Sequence, residues 1–395
     1  MEEILSSIEF QMSLLLFIAL AGYLLASRIN QSAVIGEILV GLVVGPSLLG
    51  LITYTDFVRS IATMGAIILL FVIGFEFNLE DILNLRYLFI ALVGVIIPWA
   101  GGYGLALLFG YPAPGAIFVG TALTATSIAI TANVLKEIGR LQTGAAKAII
   151  GAAVIDDILS LLALSLSGSL VAGTISALSI GVVLLKAFLF LGLGGYIGLK
   201  YISAFLEKLD NQPIGQKYPE FIFIFAMMIA FLYAMCAELV GLSAIVGGFI
   251  AGVSMCGVCL RHGRSIKEGA EYLYIIFASI FFVSLGIIAD FKAMTPELMI
   301  FLGALTLVAI ATKVAGCGIP ARLAGMSTRD SLIVGFGMSP RGEVAMIVAL
   351  IGLGQGIIDQ GIYVVLVLMS LLTTVITPIV YRNWLYREDL ASDAG

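Results

Sequence analysis

The chain has 395 residues, of which 61% are hydrophobic and only 11% are charged, with a formal net charge of −5. A soluble globular chain carries about 25% charged residues, so this composition excludes a soluble enzyme or a nucleic-acid-binding domain and points to an integral membrane protein. The charge sum says little, because in a bilayer the position of each charge matters more than the total.

Apolar runs of roughly 20 residues, each able to cross about 30 Å of hydrocarbon, predict an all-α membrane protein with thirteen transmembrane helices. In chain order, spans 1–13 are 4–28, 33–52, 57–76, 86–109, 115–136, 141–166, 174–206, 218–240, 243–259, 265–289, 296–319, 328–354 and 359–381. Turn and polar clusters such as GYPAPG, EIGRLQTG and LDNQPIGQKYP separate them. No stretch reads as a soluble domain or linker, and Met1-Glu2-Glu3 lacks the basic region of a signal peptide.

Basic residues orient the spans. With the C-terminus in the cytoplasm, inner loops and the tail hold fifteen of the twenty Lys and Arg, among them Arg28, Arg140, Lys208, Arg264, Arg329 and Arg387; outer segments hold only Arg59 and Lys292. This positive-inside asymmetry puts the N-terminus outside and supports an odd number of spans. An internal repeat follows. Ser32–Val43 resembles Ser243–Ser254, Phe118–Ala125 resembles Ile333–Pro340, and Pro98–Gly102 resembles Lys313–Cys317, at offsets of 211, 215 and 215 residues. Residues 1–173 (spans 1–6) and 211–395 (spans 8–13) then form two inverted six-helix repeats, joined by span 7 in residues 174–210, an arrangement found in many secondary transporters.

Spans 5 and 12 are repeat partners, and both carry helix breakers: TALTATS at Thr121–Ser127 and GFGMSPRGE at Gly335–Glu343. Ser339-Pro340 reads as a helix N-cap followed by proline at the first helical position. Within a membrane, a stop and restart of this kind must line a polar cavity. Counting from the cytoplasmic basic flanks, Asp156, Lys313 and Ser127 each lie nine residues deep and Ser339 ten, about 14 Å from one surface. A polar site built by spans 5, 6, 11 and 12 is expected there. Lys313 is an ion-pair partner for Asp156 or Asp157. A paired aspartate stays charged, whereas an unpaired one in a low-dielectric pocket can exchange protons. An alkali cation competes for the deprotonated form, which is the minimum chemistry of an antiporter.

TATSIAIT at Thr124–Thr131, Asp156-Asp157, FFVSLGI at Phe281–Ile287, Lys313 in ATKVAG, and GMSPRGEVA at Gly337–Ala345 together resemble the monovalent cation:proton antiporter-2 family, most nearly its prokaryotic sodium/proton antiporters of the Asp-Asp type. The resemblance covers nearly the whole chain. It implies crossed discontinuous helices 5 and 12, and a homodimer in which a core moves against a dimerisation subdomain. It assigns the cation (Na+ or Li+) and the carried proton to Asp157, and the pairing with Lys313 to Asp156. It also implies electrogenic exchange serving pH homeostasis, with no cofactor, no structural metal and no enzymatic reaction. Because the chain ends at Gly395, the nucleotide-binding module of potassium-efflux relatives is not expected.

Thr126, Ser127, Ser339 and Pro340 are expected to line the cation site at the helix breaks. Arg341 and Glu343 either offset half-helix dipoles or line an inner funnel. Cys256, Cys259 and His262 have a spacing compatible with a metal but read as packing and loop residues. Potassium/proton exchange is the alternative within the family. A cation channel is disfavoured by the inverted repeat. An intramembrane aspartyl protease is disfavoured because its two carboxylates come from different helices.

Overall fold

The computed structural model describes residues 7–29, 31–77, 84–171, 177–213, 217–258, 260, 265–289, 292 and 294–387. Among them the chain is helical, with no strand. The helices are α1 (Ile8–Arg28), α2 (Ala33–Val44), α3 (Asp56–Gly74), α4 (Leu85–Leu108), α5 (Ala113–Ala122), α6 (Ile128–Glu137), α7 (Gly144–Val171), α8 (Ala177–Leu189), α9 (Pro219–Val240), α10 (Ala244–Met255), α11 (Ile266–Ile287), α12 (Pro296–Leu323), α13 (Thr328–Gly337), α14 (Glu343–Gly354) and α15 (Gln360–Val380). From α8 the chain stays helical to Asp210 through two π-helical turns, Phe190–Gly194 and Gly198–Ile202. Nine helical segments among the described residues, 19 to 28 residues long, are long and apolar enough to cross a membrane.

Helix ends follow local chemistry. Ser7, Thr295, Ser327 and Asp359 each accept a backbone N–H of the first turn that follows, satisfying donors that a helix start leaves open. Helix α9 stops at Gly241, whose φ of 94° lies in the left-handed region that favours glycine. Three expected bounds are corrected. The span expected over 33–52 ends at Val44, because Gly45 leaves the helix and Pro46 follows. The span expected over 243–259 ends at Met255. In span 12 the helix restarts at Glu343, with Gly342 as its N-cap, and not at Pro340. Met338 O, Pro340 O and the Arg341 backbone are bonded to other segments instead.

By internal contacts the chain divides into two units. The first comprises Met1–Arg59, Asn84–Ser176 and Phe282–Gly395. Here α12 lies along α4 and also meets α13 and α15, while α7 packs on α4, α5, α6 and α13. Small residues bring these backbones together, the usual device where apolar burial does not discriminate helix from lipid. A Cβ on Gly120 of α5 would lie 2.7 Å from Trp99 O of α4, and one on Gly101 of α4 would lie 2.6 Å from Thr312 Cγ2 of α12.

The second unit comprises Ser60–Leu83 and Ala177–Phe281. A Cβ on Gly74 would lie 2.8 Å from Gly252 Cα of α10. Tyr233 Oη donates to Gly194 O in the first π turn at 2.7 Å. Lys267 pairs with Glu76. Cys256 Sγ donates to Phe75 O at 3.0 Å, whereas Cys259 and His262 lie outside the described residues.

Candidate functional site

All the groups of this site belong to the first unit. Between α5 and α6, residues 123–127 leave the helix, and Ser127 is extended (φ −87°, ψ 103°). Between α13 and α14, residues 338–342 do the same. The two breaks are bonded to each other. Ser127 N–H donates to Pro340 O at 2.8 Å. Thr126 Oγ1 donates to Met338 O at 3.1 Å and Thr131 Oγ1 to Gly337 O at 2.6 Å. Gly342 is pressed on Ser127: a Cβ there would lie 2.6 Å from Ser127 Oγ.

Lys313 of α12 and Asp156 of α7 are both 0% exposed. Lys313 Nζ donates to Asp156 Oδ1 at 2.9 Å, to Thr124 O at 2.7 Å and to Gly94 O at 2.8 Å. An ammonium has three hydrogens, so Lys313 is saturated. The pair is buried yet fully bonded on the cation side, the condition under which a buried ion pair persists. The bond to Thr124 O also places positive charge at the carbonyl end of half-helix α5, where the helix dipole favours a cation.

Arg341 has the corresponding place on the other break. It is 1% exposed, inside the break and not along a solvated funnel. Its Nη1 donates to Ser339 O at 2.6 Å and Met338 O at 3.2 Å, and its Nη2 to Ala309 O at 3.3 Å. A buried cation therefore sits at the carbonyl end of each half-helix, Lys313 at α5 and Arg341 at α13. Thr374 Oγ1 donates to Arg341 O at 3.0 Å, and Ser339 Oγ donates to Gly335 O at 2.9 Å. Every backbone oxygen from Gly337 to Arg341 thus accepts a hydrogen bond. Glu343 opens α14.

The oxygens left over lie elsewhere. Ser127 Oγ, Asp156 Oδ2 and Ser160 Oγ are buried with no hydrogen-bond partner, while Asp157 is half-buried beside Asp156 on α7. Hard monovalent and divalent cations are held by such carboxylate and hydroxyl oxygens. No cluster of three His, Cys, Asp or Glu that could hold a metal ion occurs among the described residues. Sequence reasoning passed over Thr131, Gly342, Gly94 and Ser160. Thr131 and Gly342 stand within the stretches already singled out and Ser160 lies one turn past the aspartates, but nothing in spacing alone marks Gly94, which contributes only a carbonyl.

Just past the predicted end of span 5, Glu137 accepts Ser32 Oγ at 2.6 Å and Asn133 Nδ2 at 3.0 Å. Burial pushes its carboxyl above the ordinary 4.5, against the Ser32 bond, the charge of Arg382 and the Ala33 and Asn133 bonds, which pull it down.

The sequence family described as "Sodium/hydrogen exchanger, transmembrane" matches residues 14–385. The chain belongs to this family. The exchanger-family chain is 34% identical over 388 residues to the Na(+)/H(+)-K(+) antiporter GerN of Bacillus cereus, covering 98% of each. It is 34% identical over 375 residues to a Na(+)/H(+) antiporter of Enterococcus hirae, covering 93% of this chain and 96% of that one. Among solved structures, the sodium proton antiporter MjNhaP1 of Methanocaldococcus jannaschii superposes with a TM-score of 0.73 at 17% identity, covering 98% of each chain. At that identity the likeness concerns the fold. These relatives are transporters, and the family member described here is a multi-pass membrane protein of the same kind.

Proposed function

We propose that the protein exchanges Na+ or Li+ for H+ across the membrane by alternating access, with Asp157 as the carboxylate that cation and proton occupy in turn. The observation that carries this reading is the saturated, fully buried Lys313–Asp156 pair next to a second carboxylate, where two broken helices meet. One aspartate is neutralised by lysine, and the half-buried neighbour on the same helix is the carboxylate we assign to the transported ion. Asp156 Oδ2, Ser160 Oγ and Ser127 Oγ are buried oxygens of this site with no hydrogen-bond partner. Thr126, Ser339, Pro340, Arg341 and Glu343 hold the breaks in place and balance their dipoles. Nine long spans, the short apolar helices α2 and α10, and the two broken pairs α5/α6 and α13/α14 add up to the thirteen spans of the inverted-repeat reading. The same reading has the N-terminus outside and the C-terminus in the cytoplasm of a prokaryotic membrane, and a homodimer. A potassium-coupled mode is the second reading, favoured by the name of the Bacillus cereus relative.

Sodium on Asp157 displaces its proton and draws Asp156 away from Lys313. A desolvated lysine without its partner can release a second proton. Two protons then enter for each sodium that leaves, and one net positive charge moves inward per cycle. That charge gains about 2.3 kcal/mol per 100 mV of inside-negative potential, more than the roughly 1.4 kcal/mol of one pH unit. The test is exchange in proteoliposomes at fixed sodium and proton gradients under potassium–valinomycin potentials. An inside-negative potential is expected to speed sodium extrusion. A rate indifferent to the potential means one-for-one exchange, with Lys313 as a static partner.

A further inference from the structure

Serine and threonine in a membrane helix ordinarily donate their hydroxyl to the carbonyl four residues back. This protein follows that habit widely: Ser167 bonds Ala163 O at 2.6 Å, Ser254 bonds Ile250 O at 2.7 Å, Thr306 bonds Leu302 O at 2.7 Å and Ser370 bonds Leu366 O at 2.9 Å. Ser160 of α7 does not. It is 1% exposed, and its Oγ has no hydrogen-bond partner. A buried hydroxyl left this way is destabilising.

The position of Ser160 explains what the hydroxyl is kept for. Successive helical residues are turned by about 100°. Taking Asp156 as zero, Asp157 stands at about 100° and Ser160 at about 40°, between the two aspartates and about 6 Å farther along the axis. Residues three and four apart are neighbours on a helix surface, so Ser160 adjoins both carboxylates. Asp156 Oδ2, one turn away, is a second buried oxygen on this helix with no hydrogen-bond partner. Ser167 lies two turns beyond Ser160, and there the hydroxyl is engaged twice, with Ala163 O and with Thr121 Oγ1 at 2.6 Å. Among the described serine side chains of α7, the hydroxyl without a partner is the one beside the aspartates.

We propose that Ser160 Oγ is a ligand of the transported cation, adding a neutral oxygen to the carboxylates of Asp157 and Asp156, and that it sets the preference of the site between sodium and lithium. This deepens the exchange reading above and rests on it. Selection between cations of like charge comes from cavity size and the number of oxygens offered. Lithium, the smaller ion, is satisfied by fewer oxygens than sodium, so removal of one neutral ligand weakens sodium more.

The experiment uses the full chain in proteoliposomes, with an internal pH dye reporting exchange as Na+ or Li+ is titrated. Wild type is compared with Ser160→Ala, Ser160→Cys, Ser160→Thr and Asp157→Asn. Ser160→Ala and Ser160→Cys are expected to raise the apparent KM for Na+ about tenfold, the equivalent of one lost contact of about 1.4 kcal/mol, and that for Li+ by less than about twofold. Ser160→Thr, which keeps the hydroxyl, is expected to keep the wild-type ratio of the two constants. Cysteine preserves the volume while offering a soft sulfur in place of a hard oxygen, so it carries the test if the alanine variant does not fold. An unchanged Na+/Li+ ratio in the alanine and cysteine variants overturns the assignment of Ser160. Exchange retained by Asp157→Asn overturns instead the reading on which it rests.

Discussion

Replacing Lys313 with methionine keeps the unbranched stem, one atom shorter, and removes the charge. Asp156, 0% exposed, then loses its ion-pair partner, and the carbonyls of Gly94 and Thr124 lose a donor that lay 2.8 and 2.7 Å away. Breaking a buried pair from one side costs about 3–5 kcal/mol, and each orphaned carbonyl adds about 1 kcal/mol. The second change, Asp156→Asn, removes the stranded charge. Its neutral amide leaves only the carbonyl losses, so the double variant is expected to regain roughly 3 kcal/mol of what Lys313→Met loses. The assay is the apparent melting temperature of the detergent-solubilised protein, read as the monodisperse fraction after heating. Lys313→Met is expected to melt several degrees below wild type and the double variant between the two. A double variant that melts no higher than Lys313→Met would refute the account of the pair as two charges that stabilise each other.

Gly342→Ala puts a methyl 2.6 Å from Ser127 Oγ at an ordinary backbone angle (φ −137°), so overpacking of about 1–3 kcal/mol falls on Ser127. We expect an apparent KM for Na+ about tenfold higher in protein that still folds, and an unchanged KM would show that Ser127 is not a ligand. Glu137→Gln addresses the inner end of α6. Because the carboxyl lies above its ordinary 4.5 in the folded chain, the folded state binds more protons than the unfolded one, and wild type loses stability as pH rises from 4.5 through the folded value. The glutamine variant has no such loss. Its melting temperature relative to wild type should therefore climb between pH 5 and pH 8, and a difference that is flat or falls with pH contradicts the cause given. Lys313→Gln, if the lysine carries the second proton, should still exchange while losing its dependence on membrane potential.

The architecture was legible because apolar runs of membrane length have few alternatives, and because Thr, Ser, Gly and Pro inside such runs announce a break. Counting depth from basic flanks placed Asp156, Lys313, Ser127 and Ser339 at one level. It could not give azimuth, so whether Lys313 meets Asp156 or Asp157 was open on the residues alone; the 2.9 Å contact is with Asp156. The restart of span 12 was misplaced for a physical reason. Ser339-Pro340 has the local chemistry of a helix start, but Pro340 O and the Arg341 backbone are held by Ser127, Thr373 and Thr374, partners far away in sequence. For Arg341 the residues left dipole compensation and an inner funnel both open, since nothing local shows that three carbonyls converge on it. Gly342 and Gly94 act through close approach and a carbonyl, which leave no mark on a residue pattern. The end of α2 at Val44 was visible in Gly45-Pro46, and there hydropathy outweighed a plain stop signal.

The central claim is that one carboxylate, Asp157, is shared in turn by cation and proton. The measurement that meets it most directly is sodium-driven proton movement in proteoliposomes for wild type and Asp157→Asn, reconstituted to equal amounts and matched for monodispersity. The account predicts a sodium-dependent pH change for wild type and none for the variant at any sodium concentration. A folded Asp157→Asn protein that still couples sodium to protons would contradict it.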